Sequence, residues 1–168
     1  MPAALDLNEL YDASYRRLVV QIYAVCGDLA AAEDAVQDAF VTALRKRSHL
    51  ARVDNPEAWV RVVALNGVRH GWRHASVVRR YQAKVPGPQG PVDVGPEHVA
   101  IVAALAEVAA ELREVVVLHY LADLSVAEIA AQLRVPEGTV KSRLSRARAR
   151  LAGLLDDTED DPEEVRHV

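Results

Sequence analysis

The chain has 168 residues and a net charge of −4; 51% of its residues are hydrophobic and eight are aromatic. This length allows one medium domain or two small ones, with cores built mainly from alanine, valine and leucine. The sequence has no apolar run of about 18 residues, no secretory signal pattern and a single cysteine, Cys26, which argues against membrane-spanning and disulfide-rich classes and predicts a soluble cytoplasmic protein.

Two helices are predicted in the acidic N-terminal stretch, where residues 1–44 carry seven acidic and two basic side chains. The first helix runs from Leu7 to Cys26 and ends at Gly27 and Asp28. The second runs from about Leu29 to Lys46, with apolar residues at helical spacing on its inner face. Its outward-facing polar residues are Glu33, Asp34, Gln37 and Asp38.

A third helix is predicted in the basic stretch that follows, where residues 45–81 carry nine basic and two acidic side chains. After a loop at His49–Asn55, this helix begins at Pro56, with Asn55 as its cap, and runs past Trp72. Its spacing brings together Trp59, Val62, Val63 and Asn66, surrounded by Arg61, Arg69, Arg73, Arg79 and Arg80. Such a surface is typical of sites for single-stranded or opened DNA, because bases stack on rings and phosphates meet guanidinium groups. The alternative is that the tryptophans are core residues, and for Trp72 we favour the core.

A linker is predicted at Gln82–Glu97, because these sixteen residues include four prolines and three glycines. It separates an N-terminal module at about residues 5–81 from a C-terminal module at about 98–155. Neither module shows a sustained two-residue alternation, so both are predicted to be helical and the fold class all-α. Residues 156–168 carry seven acidic side chains and one arginine, which predicts a disordered tail; the alternative is that the tail competes with DNA for nearby arginines.

The C-terminal module contains a pair of short amphipathic helices joined by a tight polar turn. Ser125 and Glu128 are spaced as a capping box, with Leu124 and Ile129 around them as a hydrophobic staple. The turn is predicted at residues 134–138, with Pro136 suited to a first helical turn.

The second helix of this pair is basic on the side away from its apolar stripe. Between Gly138 and Leu155 there are five basic residues and no acidic one. A solvated basic face is the alternative, but the capped partner helix and the short turn favour a helix-turn-helix that presents its second helix to the major groove. The apolar stripe consists of Val140, Leu144, Ala147, Leu151 and Leu154.

Three segments resemble those of bacterial RNA polymerase sigma factors. Asp28–Phe40 (DLAAAEDAVQDAF) resembles their polymerase-binding helix, Pro56–Asn66 (PEAWVRVVALN) their promoter-melting helix, and Leu124–Leu151 their helix-turn-helix. The order of the segments, the linker and the total length are similar to those of the extracytoplasmic-function sigma factors, and the resemblance covers nearly all of residues 7–155.

The resemblance implies an initiation factor that has no catalytic residue, cofactor or metal of its own. Factors of this class are commonly held by an anti-sigma factor, so we expect regulation by a separate protein or by transcription and not by self-sensing. Docking on the clamp of core RNA polymerase is implied for Asp34, Gln37, Asp38 and Phe40. Capture of the opened −10 element is implied for Trp59, Arg61, Asn66, Arg69 and Arg73. The helix-turn-helix would read the duplex −35 element and touch the polymerase flap. Its implied DNA contacts are Glu137, Thr139, Lys141, Ser142, Arg143 and Arg146.

Some residues depart from the family pattern, and two other functions remain open. Leu44 stands where the family commonly has tryptophan, and Gly67 lies inside a predicted helix. His70 and His74 are spaced for zinc on a helix, but no carboxylate or thiol joins them at useful spacing, so no metal site is expected. The alternatives are a stand-alone helix-turn-helix regulator, and an enzyme or adaptor that uses the fold without recognising promoters.

Overall fold

The computed structural model describes residues 5–78 and 92–159, without the side chains of residues 72–78 and 155–159. Every regular element in these ranges is helical, and the predicted all-α class is confirmed. The chain divides into two compact units, Met1–Val99 and Ala100–Val168, and each is considered by itself.

The N-terminal unit is built on three long helices that pack against one another in pairs. They are α1 (Leu7–Cys26), α2 (Leu29–Arg45) and α4 (Pro56–Val78), with a short α3 (Arg47–Leu50) between the last two. Small residues on α2, such as Ala39 and Ala43, are fully buried, so they allow α1 and α4 to pack closely against α2. The larger core side chains are Tyr15, Leu18, Val19, Ile22, Val36, Leu50 and Val60.

The boundaries of these helices follow from their caps. Gly27 has a φ of 74° and its N–H donates to the Tyr23 carbonyl, which ends α1 where predicted. Asn55 Oδ1 accepts from the N–H of Ala58 at 2.9 Å, as expected for the cap of α4. The predicted loop at His49–Asn55 is wrong at its start, because α3 includes its first two residues. Leu50 is fully buried there, which anchors the extra helical turn.

Gly67 gives a stability prediction, because glycine inside a helix costs about 1 kcal/mol relative to alanine. A Cβ atom added at Gly67 would meet Ala35 Cβ at 3.9 Å, an ordinary van der Waals distance. We expect Gly67→Ala to raise the free energy of unfolding of this unit by about 0.5–1 kcal/mol. Denaturation of the full chain followed by tryptophan fluorescence measures it, because both tryptophans, Trp59 and Trp72, lie in this unit.

Gly27→Ala is the matched control for this substitution. The chemical change is the same, but the φ of 74° at Gly27 strains any side chain, so we expect this variant to be less stable than the parent chain. A lower stability of Gly67→Ala would contradict the prediction.

The last residues of the predicted linker pack on this unit. Val92 is buried, and its N–H donates to Glu33 Oε1 of α2 at 2.8 Å. Arg16 Nη2 of α1 donates to the carbonyl of Asp93 at 2.8 Å. Helix α5 (Pro96–Ala106) begins inside the predicted linker. The prediction that Gln82–Glu97 is wholly non-helical is therefore wrong at its C-terminal end. Residues 82–91 lie outside the described part of the chain.

The C-terminal unit consists of short helices that support one long helix. From α5 the chain continues into α6 (Ala110–Val116), a π-helical turn (Val117–Leu121), α7 (Val126–Leu133) and α8 (Glu137–Glu159). Helices α6 and α7 both pack against α8. The core consists of Val102, Leu105, Val108, Val115, Val117, Leu118, Ile129, Val140, Leu144 and Ala147.

The helix-turn-helix is formed by α7, α8 and a turn of three residues. Both bonds of the predicted capping box are present: Ser125 Oγ accepts from the N–H of Glu128, and the Glu128 carboxylate accepts from the N–H of Ser125. Arg134 ends α7 in the left-handed region, with a φ of 55°. The Pro136 carbonyl accepts from the N–H of Thr139, so the predicted turn at 134–138 is two residues too long and α8 begins at Glu137.

The described residues include neither a helix that could cross a membrane nor a cluster of side chains that could hold a metal ion. In residues 5–78 and 92–159, none of the helices has the length and apolar character needed to cross a membrane. Among the described side chains, no group of three or more histidine, cysteine, aspartate or glutamate residues is placed to hold a metal ion. His70 is among these side chains, whereas that of His74 is not.

Candidate nucleic-acid interface

The exposed side of α8 carries a stripe of polar and basic residues. Helical spacing places Thr139, Arg143, Arg146 and Arg150 along one line, which we call the α8 stripe. Val140, Leu144 and Ala147 are buried against the rest of the unit, so the stripe lies on a flank of the helix. Among the other predicted −35 contacts, Lys141 and Ser142 are exposed beyond the buried face, and Glu137 is exposed in the first turn.

Arg143 of the α8 stripe has a carboxylate partner from another helix. Its Nη2 lies 3.6 Å from Glu111 Oε2 in the first turn of α6. The Arg143 side chain is 19% exposed and that of Glu111 is 76% exposed. Glu111 was not among the predicted site residues, because 32 positions separate it from Arg143 and no local pattern connects the two.

Arg148 lies on the opposite flank of α8 from the stripe. Its Nε donates to the Tyr120 hydroxyl at 2.8 Å, and its guanidinium carbon is 5.9 Å from the centroid of the Tyr120 ring. Arg148 and Tyr120 border an open apolar groove of about 740 Å³ together with Leu105, Val116, Leu151 and Leu154. The predicted apolar stripe therefore ends in this groove, and the basic residues of α8 do not all face one way.

On α4, the structure places two of the predicted −10 residues in direct contact. Asn66 is exposed, and its Oδ1 accepts from Arg69 Nη1 at 3.2 Å. Trp59 is half-buried two helical turns earlier on the same face, with its ring 6.4 Å from that of His49. The side chain of Arg73 lies outside the described residues.

Arg61 is buried, and the expectation that it contacts opened DNA directly is corrected here. Its side chain is 5% exposed. Its Nε donates to Gln21 Oε1 of α1 at 2.8 Å, and its Nη2 donates to Glu57 Oε1 at 3.0 Å. Glu57 also accepts two hydrogen bonds from Arg17 of α1, and this bonding raises the pKa of the Arg17 guanidinium. The four side chains tie α1 to α4, and the spacing of four residues between Glu57 and Arg61 was the sequence signal for part of this arrangement.

Two of the predicted polymerase-docking residues on α2 are turned partly inward. Phe40 is 9% exposed, and its ring meets that of Tyr11 edge-on at 4.9 Å. Tyr11 stacks on Tyr15 at 4.7 Å, and Gln37 Nε2 donates to the Tyr15 hydroxyl at 3.2 Å. Burial raises the pKa of Tyr15, so its phenol stays neutral near pH 7.

The exposed face of α2 combines acidic and apolar residues. Asp34, Asp38 and Val41 follow one another at helical spacing, and Leu44 lies on their flank. Val41 is 47% exposed and Leu44 is 60% exposed. We call these four residues the α2 face. Its apolar members were not among the predicted docking residues, although apolar side chains on the polar side of an amphipathic helix are a signal for a partner.

Comparisons with known proteins cover both units. The family model Sigma-70 region 2 matches residues 10–77, and the model Sigma-70, region 4 matches residues 98–151. The ECF RNA polymerase sigma factor SigL of Mycobacterium tuberculosis is 34% identical over 148 residues, which cover 84% of each protein. The chain belongs to the extracytoplasmic-function class of the sigma-70 family.

Solved structures of sigma factors agree with this assignment. The sigma factor RpoE of Bartonella quintana, solved with the anti-sigma factor NepR, is 25% identical and has a TM-score of 0.67; the match covers 89% of this chain and 96% of that one. CnrH, solved with the cytosolic domain of CnrY, is also 25% identical, with a TM-score of 0.66 and coverage of 90% and 88%.

Membership of the sigma-70 family settles the general function. This sigma factor binds core RNA polymerase and promoter DNA, recognises the −35 and −10 elements and directs transcription initiation. The match of its N-terminal unit to region 2 distinguishes it from a stand-alone helix-turn-helix regulator, which would share only the C-terminal signal.

Proposed function

We propose that α8 reads the duplex −35 element through the α8 stripe and the exposed residues next to it. The observation that carries this proposal is the position of the stripe on a capped helix-turn-helix, outside the buried face of α8. Arginine suits bidentate contacts with guanine edges in the major groove, whereas Lys141 suits a phosphate. Glu137, Thr139 and Ser142 lie in the first two turns of α8, which enter the groove in this docking geometry.

We propose further that α4 holds the opened −10 strand. Trp59 offers a ring for stacking, and Asn66 with Arg69 offers hydrogen-bond donors on the same face of the helix. The predicted basic surface of this helix adds Arg73 to the set. Arg61 acts indirectly, because it holds α4 against α1.

For the polymerase clamp, we propose the α2 face as the docking surface. Asp34 and Asp38 offer charge, and Val41 and Leu44 offer exposed apolar area. Gln37 and Phe40 support this face from the interior side of α2.

The chain supplies recognition and the polymerase supplies catalysis. We therefore place the protein in the cytoplasm with the polymerase, and at the nucleoid when it is in the holoenzyme.

We also propose regulation by a separate anti-sigma factor. RpoE of Bartonella quintana was solved in complex with such a protein, and its match covers most of both chains. Affinity capture with the full chain from the cells that express it would identify the partner.

The proposed function is tested by mixing the protein with core RNA polymerase and sequencing run-off transcripts from a promoter library. We expect a stable complex with core and transcripts that share a −35 and a −10 motif at fixed spacing. Failure to bind core, or binding without promoter-dependent transcripts, would exclude the proposal.

A single substitution on the α8 stripe tests its role at −35. Arg146 is exposed on the stripe, so we expect Arg146→Ala to weaken binding of the holoenzyme to a −35 duplex by about 1–3 kcal/mol. Arg148→Ala is the matched control, since it removes the same charge from the flank that faces Tyr120. Equal losses in the two variants would mean that net charge, and not the stripe, determines binding.

A further inference from the structure

The ion pair between Arg143 and Glu111 places an acidic group beside the proposed DNA-reading surface. Arg143 lies between Thr139 and Arg146 on the α8 stripe, and its partner projects from α6 with 76% of its side chain exposed. The pair stands apart from the core, where Val115 and Leu118 pack around the same helices.

Because the Glu111 side chain is 76% exposed and that of Arg143 is 19% exposed, this partly exposed ion pair contributes little to folding. The ion pair should affect DNA binding more than folding. The Glu111 carboxylate repels phosphates, and it occupies the Arg143 guanidinium in the protein without DNA. A phosphate, which every sequence presents, can also accept two hydrogen bonds from a guanidinium, but it is anionic and is repelled by the neighbouring Glu111 carboxylate. A guanine presents two acceptors, O6 and N7, which match the guanidinium fork. Because the guanine edge is neutral, the Glu111 carboxylate beside Arg143 disfavours contact of Arg143 with a phosphate more than contact with a cognate base pair.

We propose that Glu111 is a specificity-determining residue, which holds Arg143 by its ion pair and releases it only where the −35 duplex offers a matching base edge. The proposal rests on the proposed contact of Arg143 with the −35 element. Glu111 acts through Arg143 and does not itself contact a preferred base. Its removal should therefore increase binding to wrong sequences more than binding to the right one.

The test uses reconstituted holoenzyme and a library of duplexes that are randomised over the −35 region upstream of one fixed −10 element. Four variants are compared with the parent chain: Glu111→Gln, Arg143→Ala, the double variant, and Glu107→Gln. Glu107 is an exposed glutamate four positions earlier, so its variant controls for the loss of one negative charge in the same unit. The readout is the base preference at each position, which a merely structural substitution would not change selectively.

We expect Arg143→Ala to reduce base discrimination at one position by about tenfold. Glu111→Gln should keep the same preferred base but reduce discrimination at that position about threefold, within the strength of a partly exposed ion pair. In the Arg143→Ala background, Glu111→Gln should have no further effect, because the partner is absent. Glu107→Gln should leave the preference unchanged.

Each other outcome overturns the inference in a recognisable way. If Arg143→Ala leaves every base preference unchanged, the proposed contact of Arg143 fails and the pair is a structural tie. If Arg143→Ala changes the preference but Glu111→Gln does not, the contact stands and the role of Glu111 is excluded. Equal effects of Glu111→Gln and Glu107→Gln, or an effect that persists without Arg143, would reduce the role to general charge.

Discussion

Arg61→Ala should lower the free energy of unfolding of the N-terminal unit by about 3 kcal/mol, since it removes one partner of a buried, charged hydrogen-bond network. Gln21 is 2% exposed, and the substitution takes away the donor that Arg61 Nε provides to its Oε1. Glu57 keeps its bonds to Arg17, so the loss is concentrated at Gln21 and in the space left by the arginine stem. Denaturation of the full chain followed by tryptophan fluorescence reports this unit selectively.

Arg69→Ala is the control for this experiment. Arg69 is half-buried on the same helix, and its bond to Asn66 lies within that helix, so we expect a change of less than about 1 kcal/mol. A second variant, Arg61→Lys, keeps the charge but loses the planar fork and should fall between the other two. If Arg61→Ala impaired promoter opening while stability stayed unchanged, Arg61 would be a DNA contact and the interior network would be unimportant.

Phe40→Ala and Leu44→Ala should separate folding from docking on α2. Phe40 packs against Tyr11, so its truncation should cost about 3 kcal/mol of stability. Leu44 is 60% exposed, so Leu44→Ala should change stability by less than about 0.5 kcal/mol. On the proposed docking surface, however, Leu44→Ala should weaken binding of core polymerase about tenfold.

The two measurements are tryptophan-monitored denaturation and titration with core polymerase. Phe40→Ala should lose core binding only to the extent that the unit unfolds, and its binding should recover at lower temperature if the fold does. Core binding of Leu44→Ala equal to that of the parent chain would remove Leu44 from the docking surface. Full stability of Phe40→Ala with lost binding would instead make Phe40 a direct contact.

Features that depend on neighbouring residues in the chain were predicted well. The capping box at Ser125 and Glu128, the end of α1 at Gly27 and the cap at Asn55 each need only a few adjacent residues, and all three are confirmed. The all-α class and the sigma-70 family also follow from periodicity and from short motifs. Local hydrogen bonding and side-chain spacing are sufficient for such features.

Features that depend on distant partners were not predictable in the same way. Arg61 was predicted to contact DNA because it lies in a basic stretch of the sequence, but its partner Gln21 lies 40 positions earlier. Phe40 turns inward because of Tyr11 on α1. Glu111 pairs with an arginine 32 positions later. In each case packing between helices determines the orientation of the side chain, and the sequence of a single helix does not predict it.

The attachment of Val92 and Asp93 to the first two helices has a mechanical consequence. Glu33 and Arg16 each hold one backbone group of this segment, so tension along the chain at Asp93 reaches α1 and α2 first. Helix α2 carries the α2 face, and Glu33 is adjacent in sequence to Asp34. A pull on the chain at this point would therefore load α2, the helix proposed to dock on the polymerase, before it loads α4, and these two hydrogen bonds would be among the first to break.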